Sequence, residues 1–124
     1  MHEHYVILTL SGEYDVAYRN ALRGELEAVK ESESLVVDLS GVTFFDSACL
    51  GDLLALHRAR VAAGRPRLTV VQNEVFVKRL FELLDLNQVF HTVDSINEVL
   101  PSDQTAVIRQ YASGGNSRTS ASVK

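Results

Sequence analysis

The spacing of apolar and polar residues predicts strands and helices that alternate along the chain. Short β-branched apolar runs bounded by glycine or polar residues are typical of strands, and apolar residues three and four apart are typical of helices. We expect strands over 5–11, 34–39, 68–71 and 89–93, with a brief extended segment at 42–45. We expect helices over 16–30, 47–63, 74–84 and 94–100. This alternation predicts the α/β class, a sheet covered by helices.

Turn and capping residues predict where these elements begin and end. Residues 12–15 are expected to form a turn, with Asp15 capping the helix that follows, in which Val16 belongs to the apolar stripe. Ser40 and Gly41 are expected to end the second strand. Gly64 is a natural left-handed end for the helix that starts at residue 47.

The length of 124 residues fits one domain. We expect that domain to occupy residues 1–101 and a flexible tail to occupy 102–124, because the Ser/Gly-rich end has little to bury. Val107, Ile108 and Tyr111 leave room for a little additional structure at the start of that tail.

Charge and composition exclude several classes of protein. A net charge of −4 argues against nucleic-acid binding, which needs a concentrated basic face. We interpret the basic cluster Arg58, Arg60, Arg65 and Arg67 as the solvated end of a helix. The single cysteine, Cys49, rules out an internal disulfide and suits a reducing compartment. Without a long apolar run or a secretion signal, we expect a cytoplasmic protein that does not bind membranes.

The chain also lacks the motifs of common catalysts. Ser47 has no Gly-x-Ser-x-Gly flanks, and no glycine-rich phosphate loop is present. The four histidines, His2, His4, His57 and His91, have no recognisable ligand spacing. We therefore expect a protein that is not an enzyme and that uses neither a metal nor a cofactor.

Ser47 is the strongest candidate for a functional residue. With Asp46 it opens the second predicted helix, where unpaired N–H groups and the positive end of the helix dipole favour an anion. A phosphate on Ser47 would add about −1.5 to −2 charges and change any partner surface there. The alternative is that Ser47 is only an N-cap, contributing about 1 kcal/mol to the stability of the helix.

Three segments, 35–54, 10–15 and 77–86, resemble one known family in the same order and spacing. The first contains a buried strand followed by Asp46-Ser47-Ala48-Cys49-Leu50-Gly51, which is similar to the signature of the STAS domain of sulfate transporters and anti-sigma factor antagonists. The second resembles the family's Leu-x-Gly-Glu-x-Asp turn, and the third resembles its third helix. The resemblance implies a STAS-like single domain with a mixed β-sheet of four to five strands flanked by about four helices.

The resemblance also implies a function. An unphosphorylated antagonist of this family binds an anti-sigma factor that is also a serine kinase, which frees a sigma factor for transcription. Phosphorylation of the signature serine, here Ser47, releases the antagonist, and a serine phosphatase restores it. The implied partner-binding surface is Asp15, Asp46, Ser47, Cys49 and Asp52, with Asp52 on the exposed face of the helix.

Two departures from the family pattern leave alternatives open. Cys49 replaces a glycine, so its side chain could obstruct a kinase, add a contact, act as a reactive thiol with a lowered pKa, or be a small buried residue. The short N-terminus suggests that the sheet lacks one edge strand or pairs it differently. Other STAS roles also remain: a non-switching scaffold of a stress-signalling assembly, a small-ligand-binding module, or a homodimer.

Overall fold

The computed structural model describes residues 4–100 and 107–114. In this part of the chain, five strands alternate with three α-helices and three short 3-10 turns. The strands are β1 (His4–Tyr14), β2 (Ser34–Phe45), β3 (Thr69–Val71), β4 (His91–Val93) and β5 (Val107–Gly114). The α-helices are α1 (Arg19–Val29), α2 (Ser47–Ala62) and α3 (Val75–Leu83), and the 3-10 turns are Val16–Tyr18, Leu86–Gln88 and Ile96–Glu98.

The five strands form one sheet in the order β4-β3-β2-β1-β5, and each neighbouring pair is parallel. The α/β class is therefore confirmed, with a sheet that is parallel rather than mixed. The first three connections between strands pass through a helix, which returns the chain to the same end of the sheet before the next strand begins. The fourth helix expected at 94–100 is only a 3-10 turn, so the described residues contain three α-helices.

Strands β1 and β2 are longer than the sequence pattern indicates. β1 continues through Gly12 to Tyr14, and β2 continues through Gly41 to Phe45. The predicted turn at 12–15 and the predicted end of the strand at 40–41 are therefore wrong. Shifts of the pairing register between Thr9 and Ser11 and between Gly12 and Glu13 let the two strands continue instead of ending. A Cβ atom at Gly41 would lie 3.2 Å from Ser11 Cβ, so this glycine permits a close approach of two strands.

The helices cover one face of the sheet and form the main core with it. Their contributions include Leu22 from α1, Leu53 from α2 and Phe81 from α3, all with no exposed surface. A smaller cluster on the opposite face joins four strand residues to the segment that follows β4: Ile7, Val36, Val71 and Val93, packed against Ile96, Val99 and Leu100. The sheet is therefore buried more deeply on its helical face.

The chain between β1 and α1 differs from the predicted helix over 16–30. Asp15 does act as a cap, accepting a hydrogen bond from the backbone N–H of Ala17, but it caps a 3-10 turn. The α-helix begins at Arg19. Val16 is 64% exposed instead of belonging to the apolar stripe, because it lies on the 3-10 turn that precedes the helix.

Arg60 contradicts the interpretation of the basic cluster as a solvated helix end. Its side chain is only 1% exposed. The guanidinium donates hydrogen bonds to the carbonyl oxygens of Lys30 at 3.0 Å, Ser32 at 2.6 Å and Glu33 at 3.3 Å. Arg60 thus connects the end of α2 to the segment that joins α1 to β2, and three carbonyl dipoles replace water around its charge.

Strand β5 lies in the region expected to be a flexible tail. Residues Val107–Gly114 pair in parallel with His4–Ser11 of β1, and the hydroxyl of buried Tyr14 lies 3.1 Å from both Ser113 O and Ser113 Oγ. The proposed boundary after residue 101 therefore separates β5 from the sheet to which it belongs. The chain covers the edge of β1 with its own C-terminal segment. The other parts of the expected tail, 102–106 and 115–124, lie outside the described residues.

Candidate functional site

The parallel sheet brings the candidate residues together at the C-terminal end of its strands. Because the strands run in the same direction, the residues after β1, β2, β3 and β4 all lie at the end of the sheet where the strands terminate. We call this end the carboxyl edge. Asp15, Asp46, Glu74 and Ser95 follow these strands, and the side chain of each caps a helix or 3-10 turn there. The backbone N–H of Asp46 donates to the carbonyl of Tyr14 at 2.8 Å, which joins the ends of β1 and β2.

Ser47 is the first residue of α2 and is exposed. The residue that caps α2 is Asp46, whose Oδ1 accepts a hydrogen bond from the backbone N–H of Ala48 at 2.6 Å. The alternative in which Ser47 is the N-cap is therefore wrong. Among the residues that the structure describes, none makes a hydrogen bond to the Ser47 hydroxyl. The hydroxyl is therefore accessible and does not stabilise the fold through a bond of its own.

The side chain of Cys49 points into the protein. Its side chain has no exposed surface, and its Sγ donates a hydrogen bond to the carbonyl of Asp15 at 3.5 Å. Burial, together with the nearby carboxylates of Asp46 and Asp52, raises the pKa of the thiol to about 11. Of the alternatives left open for Cys49, the structure favours the small buried residue over the reactive thiol with a lowered pKa.

Asp52 was expected on the exposed face of α2, and this expectation is also wrong. The residue is 8% exposed and faces α1. Its carboxylate accepts two hydrogen bonds from Arg19, at 2.9 and 3.1 Å, and lies 3.5 Å from Nε of Arg23. These contacts raise the pKa of Arg19 through the hydrogen bonds to Asp52 and its negative charge. Asp52 joins α1 to α2 one turn beyond Ser47, so it supports the site from inside.

An exposed aromatic pair is the feature of this edge that the sequence analysis missed. Phe44 is 39% exposed and Phe76 is 43% exposed, and their rings stack with centroids 5.8 Å apart. Strand alternation could have indicated Phe44, because Phe45 faces the core and its neighbour in an extended strand faces the other way. The contact with Phe76 could not be read from the sequence, since it joins β2 to α3.

Two other kinds of feature, a metal-binding cluster and a membrane-spanning helix, are absent from the described ranges. Across residues 4–100 and 107–114, no cluster of three or more His, Cys, Asp or Glu side chains could hold a metal ion. Within the same ranges, no helix is sufficiently long and apolar to cross a membrane.

A groove of about 200 Å³ lies between α1 and α2, with Leu26, Ala55 and Ala59 among its lining residues. This volume is smaller than the ~300–1,000 Å³ typical of small-molecule sites.

The fold and the site define a small α/β domain with an accessible serine at a helix start. The family described as "Mlab, STAS domain" matches residues 1–96. The chain therefore belongs to the STAS domain family, as the three sequence segments predicted.

A solved structure gives a second comparison. The crystal structure of an anti-sigma factor antagonist from Mycobacterium paratuberculosis is similar to this chain, with a TM-score of 0.62 and 27% sequence identity. The similarity covers 71% of this chain and 75% of that chain. A comparison with curated protein sequences finds no match.

Proposed function

We propose that this protein is an anti-sigma factor antagonist that is switched off by phosphorylation of Ser47. The observation that carries the proposal is the exposed Ser47 hydroxyl, which has no hydrogen-bond partner among the described residues, at the first position of α2. Membership of the STAS family and the similarity to a solved anti-sigma factor antagonist support the same function. The protein acts by binding, and it requires no cofactor of its own.

The proposed partner is an anti-sigma factor with serine kinase activity. The kinase transfers the γ-phosphoryl group of ATP to Ser47 Oγ, the hydroxyl proton leaves, and ADP is the other product. A serine phosphatase then hydrolyses the phosphoserine with water and releases inorganic phosphate. ATP and its metal ion belong to the kinase. This cycle regulates sigma-factor-dependent transcription in the bacterial cytoplasm, in a stress response.

The surroundings of Ser47 determine whether a phosphate there would strengthen or weaken partner binding. The helix start favours a negative charge, so the phosphorylated domain stays folded. The phosphate would nevertheless lie next to the carboxylate of Asp46 and three residues from exposed Phe44. A dianion beside a carboxylate and an apolar contact disfavours binding through repulsion and the cost of removing its water. Phosphorylation therefore weakens the complex.

The partner-binding surface that we propose contains Asp15, Asp46 and Ser47. Cys49 and Asp52 were also expected in this surface, but both are buried and contribute by holding α2 in place. Cys49 contacts the Asp15 carbonyl and Asp52 contacts Arg19, so each fixes the start of α2 against the chain that follows β1.

The experiment uses purified serine-kinase anti-sigma factors from the source organism. Each is incubated with the protein, ATP and Mg²⁺, and the modified residue is located by mass spectrometry. We expect phosphate on Ser47 and none on Ser47→Ala. Ser40→Ala is the matched control, because Ser40 is also exposed but its hydroxyl donates to Asp38 at 2.7 Å. This control is expected to be phosphorylated like the unmodified protein.

Binding and size measurements complete the test. Ser47→Ala should bind the kinase in the presence of ATP, while the phosphorylated protein and Ser47→Asp should bind at least tenfold more weakly. Modification at another residue, or full affinity after phosphorylation, would contradict the switch. A large homo-oligomer that no kinase affects would instead favour the scaffold alternative, and thermal stabilisation by a small anion or lipid would favour the ligand-binding alternative.

A further inference from the structure

Exposed apolar side chains lie at the carboxyl edge of the sheet, the same edge at which Ser47 opens α2. Four contribute here: Val16 is 64% exposed, Phe44 39%, Val75 73% and Phe76 43%. We call these four residues the edge patch. They belong to three different segments, which follow or end β1, β2 and β3. Their common position at this edge is therefore a product of the fold and not of one apolar run.

Within the edge patch, Phe44 and Phe76 are in contact with each other. The rings of Phe44 and Phe76 stack with an interplanar angle of 25°, so each restricts the other's movement. Phe44 lies three residues before Ser47, which places their Cα atoms within about 11 Å of one another. A partner that covers the aromatic pair therefore also comes close to the Ser47 hydroxyl.

Carboxylates stand within two residues of these apolar side chains along the sequence. Asp15 directly precedes Val16, Asp46 follows Phe44 by two residues, and Glu74 directly precedes Val75. Each of these acids caps a helix or 3-10 turn at the same edge. Two nearby cations are already paired with other acids, in the contacts Arg19–Asp52 and Lys78–Asp94. The edge therefore presents an apolar centre with an acidic border.

We propose that the edge patch is the docking surface for the kinase partner and that the partner presents apolar side chains bordered by lysine or arginine. This inference rests on the proposed function and specifies the chemistry by which the partner is bound. Aromatic side chains that are buried at the centre of an interface contribute most of its affinity, and complementary charges at the rim accelerate and orient the encounter. The position of Ser47 beside the patch explains why a phosphate there interferes with docking.

The test compares two exposed apolar residues of α3. Phe76→Ser removes half of the aromatic pair, and Leu83→Ser is the matched control, because Leu83 is 77% exposed near the opposite end of the same helix. The affinity of each variant for the kinase that phosphorylates Ser47 is measured by calorimetry without ATP. We expect binding at least tenfold weaker for Phe76→Ser and within twofold of the unmodified protein for Leu83→Ser. Phe44→Ser is expected to behave like Phe76→Ser, and coincident thermal unfolding curves verify the fold.

The charged border is tested by salt and by Glu74→Gln. Higher NaCl concentration should weaken binding of the unmodified protein, and Glu74→Gln should reduce this salt dependence. The glutamine oxygen can still accept the hydrogen bond that Glu74 accepts from the backbone N–H of Phe76 at 2.8 Å, so the helix cap is preserved. Binding that strengthens with salt would overturn the acidic–basic pairing.

The outcomes separate this inference from the proposed function. If Phe76→Ser and Phe44→Ser bind like the unmodified protein while phosphorylation of Ser47 still releases the kinase, the edge patch is not the docking surface and the proposed function stands. An equal loss for Leu83→Ser also overturns the inference, because the effect would then not depend on the edge. If no kinase in the panel binds the unmodified protein, both proposals fail.

Discussion

Arg19 donates two hydrogen bonds to the carboxylate of Asp52, from Nε to Oδ2 at 2.9 Å and from Nη2 to Oδ1 at 3.1 Å. This paired contact is the geometry in which arginine binds a carboxylate most specifically. It joins α1 to α2 near the start of the helix that carries Ser47. Asp52 therefore holds α2 in position relative to α1.

Asp52→Asn should lower the stability of the protein, because an amide cannot accept both of the charge-assisted hydrogen bonds that the carboxylate accepts. Urea denaturation followed by circular dichroism measures the change. Arg23→Ala is the control, since Arg23 lies farther from Asp52, at 3.5 Å, and its side chain is 58% exposed. We expect a clear decrease in the urea midpoint for Asp52→Asn and little change for Arg23→Ala. Equal effects of the two variants on the urea midpoint would contradict the conclusion that the Arg19–Asp52 contact is the stabilising one.

Cys49 should react slowly with thiol reagents in the folded protein. With a pKa of about 11 and no exposed surface, only about 0.1% of the thiol is ionised at pH 8, and the thiolate is the reactive form. The measurement is the rate of reaction with an aromatic disulfide reagent at pH 8. In strong denaturant the single cysteine should react quickly and stoichiometrically, which is the control. Rapid reaction of the native protein would show an accessible thiol and restore the redox alternative.

Tyr14→Phe should destabilise the protein by about 1 kcal/mol, the typical contribution of one hydrogen bond. The Tyr14 hydroxyl lies 3.1 Å from both Ser113 O and Ser113 Oγ, so it fixes β5 on the edge of β1. Chemical denaturation measures the free energy of unfolding. Tyr18→Phe is the control, because the Tyr18 hydroxyl makes no hydrogen bond to the described residues. In combination with Ser113→Ala the effect of Tyr14→Phe should be smaller, and strict additivity would contradict the contact with Ser113 Oγ.

His57 should make the protein less stable as the pH falls below about 6.5, the ordinary pKa of histidine in an unfolded chain. Burial and the positive charges of Arg67, Arg58 and Arg60 lower the pKa of His57 in the folded state. Its Nδ1 also accepts a hydrogen bond from the backbone N–H of Leu68 at 3.4 Å, which protonation would remove.

The unfolded chain therefore binds this proton at a higher pH than the folded protein does. Stability is lost as the pH falls from about 6.5 through the lower folded pKa, with a slope of at most about 1.4 kcal/mol per pH unit for one proton. The free energy of unfolding is measured between pH 7.5 and 5.5. His57→Gln should flatten this part of the curve, and an unchanged slope in the variant would assign the pH dependence to another group.

Local patterns in the sequence were sufficient to predict most of the elements. Apolar periodicity predicted α2 and α3 to within one or two residues at either end, and Gly64, with a φ of +81°, is the predicted left-handed residue after α2. Asp15 was correctly predicted to cap the segment that follows it. These features depend on residues a few positions apart, so the sequence carries the information directly.

The elements that the pattern misjudged depend on distant partners. The sequence of β5 was interpreted as part of a polar tail. It forms a strand because it pairs with the edge of β1, about one hundred positions earlier in the chain. Gly41 was predicted to end a strand, whereas in the structure it allows β1 and β2 to approach closely. In both cases a contact between segments overrides the local preference.

The same distinction holds for the site. The sequence by itself determined that a serine opens α2 behind an aspartate, and hence that a hydroxyl lies at a helix start. Only the tertiary structure decided that Cys49 and Asp52 face inward and that Phe44 meets Phe76 beside Ser47. The physical reason is that periodicity specifies which residues share a face of one element, whereas burial depends on how neighbouring elements pack against that face.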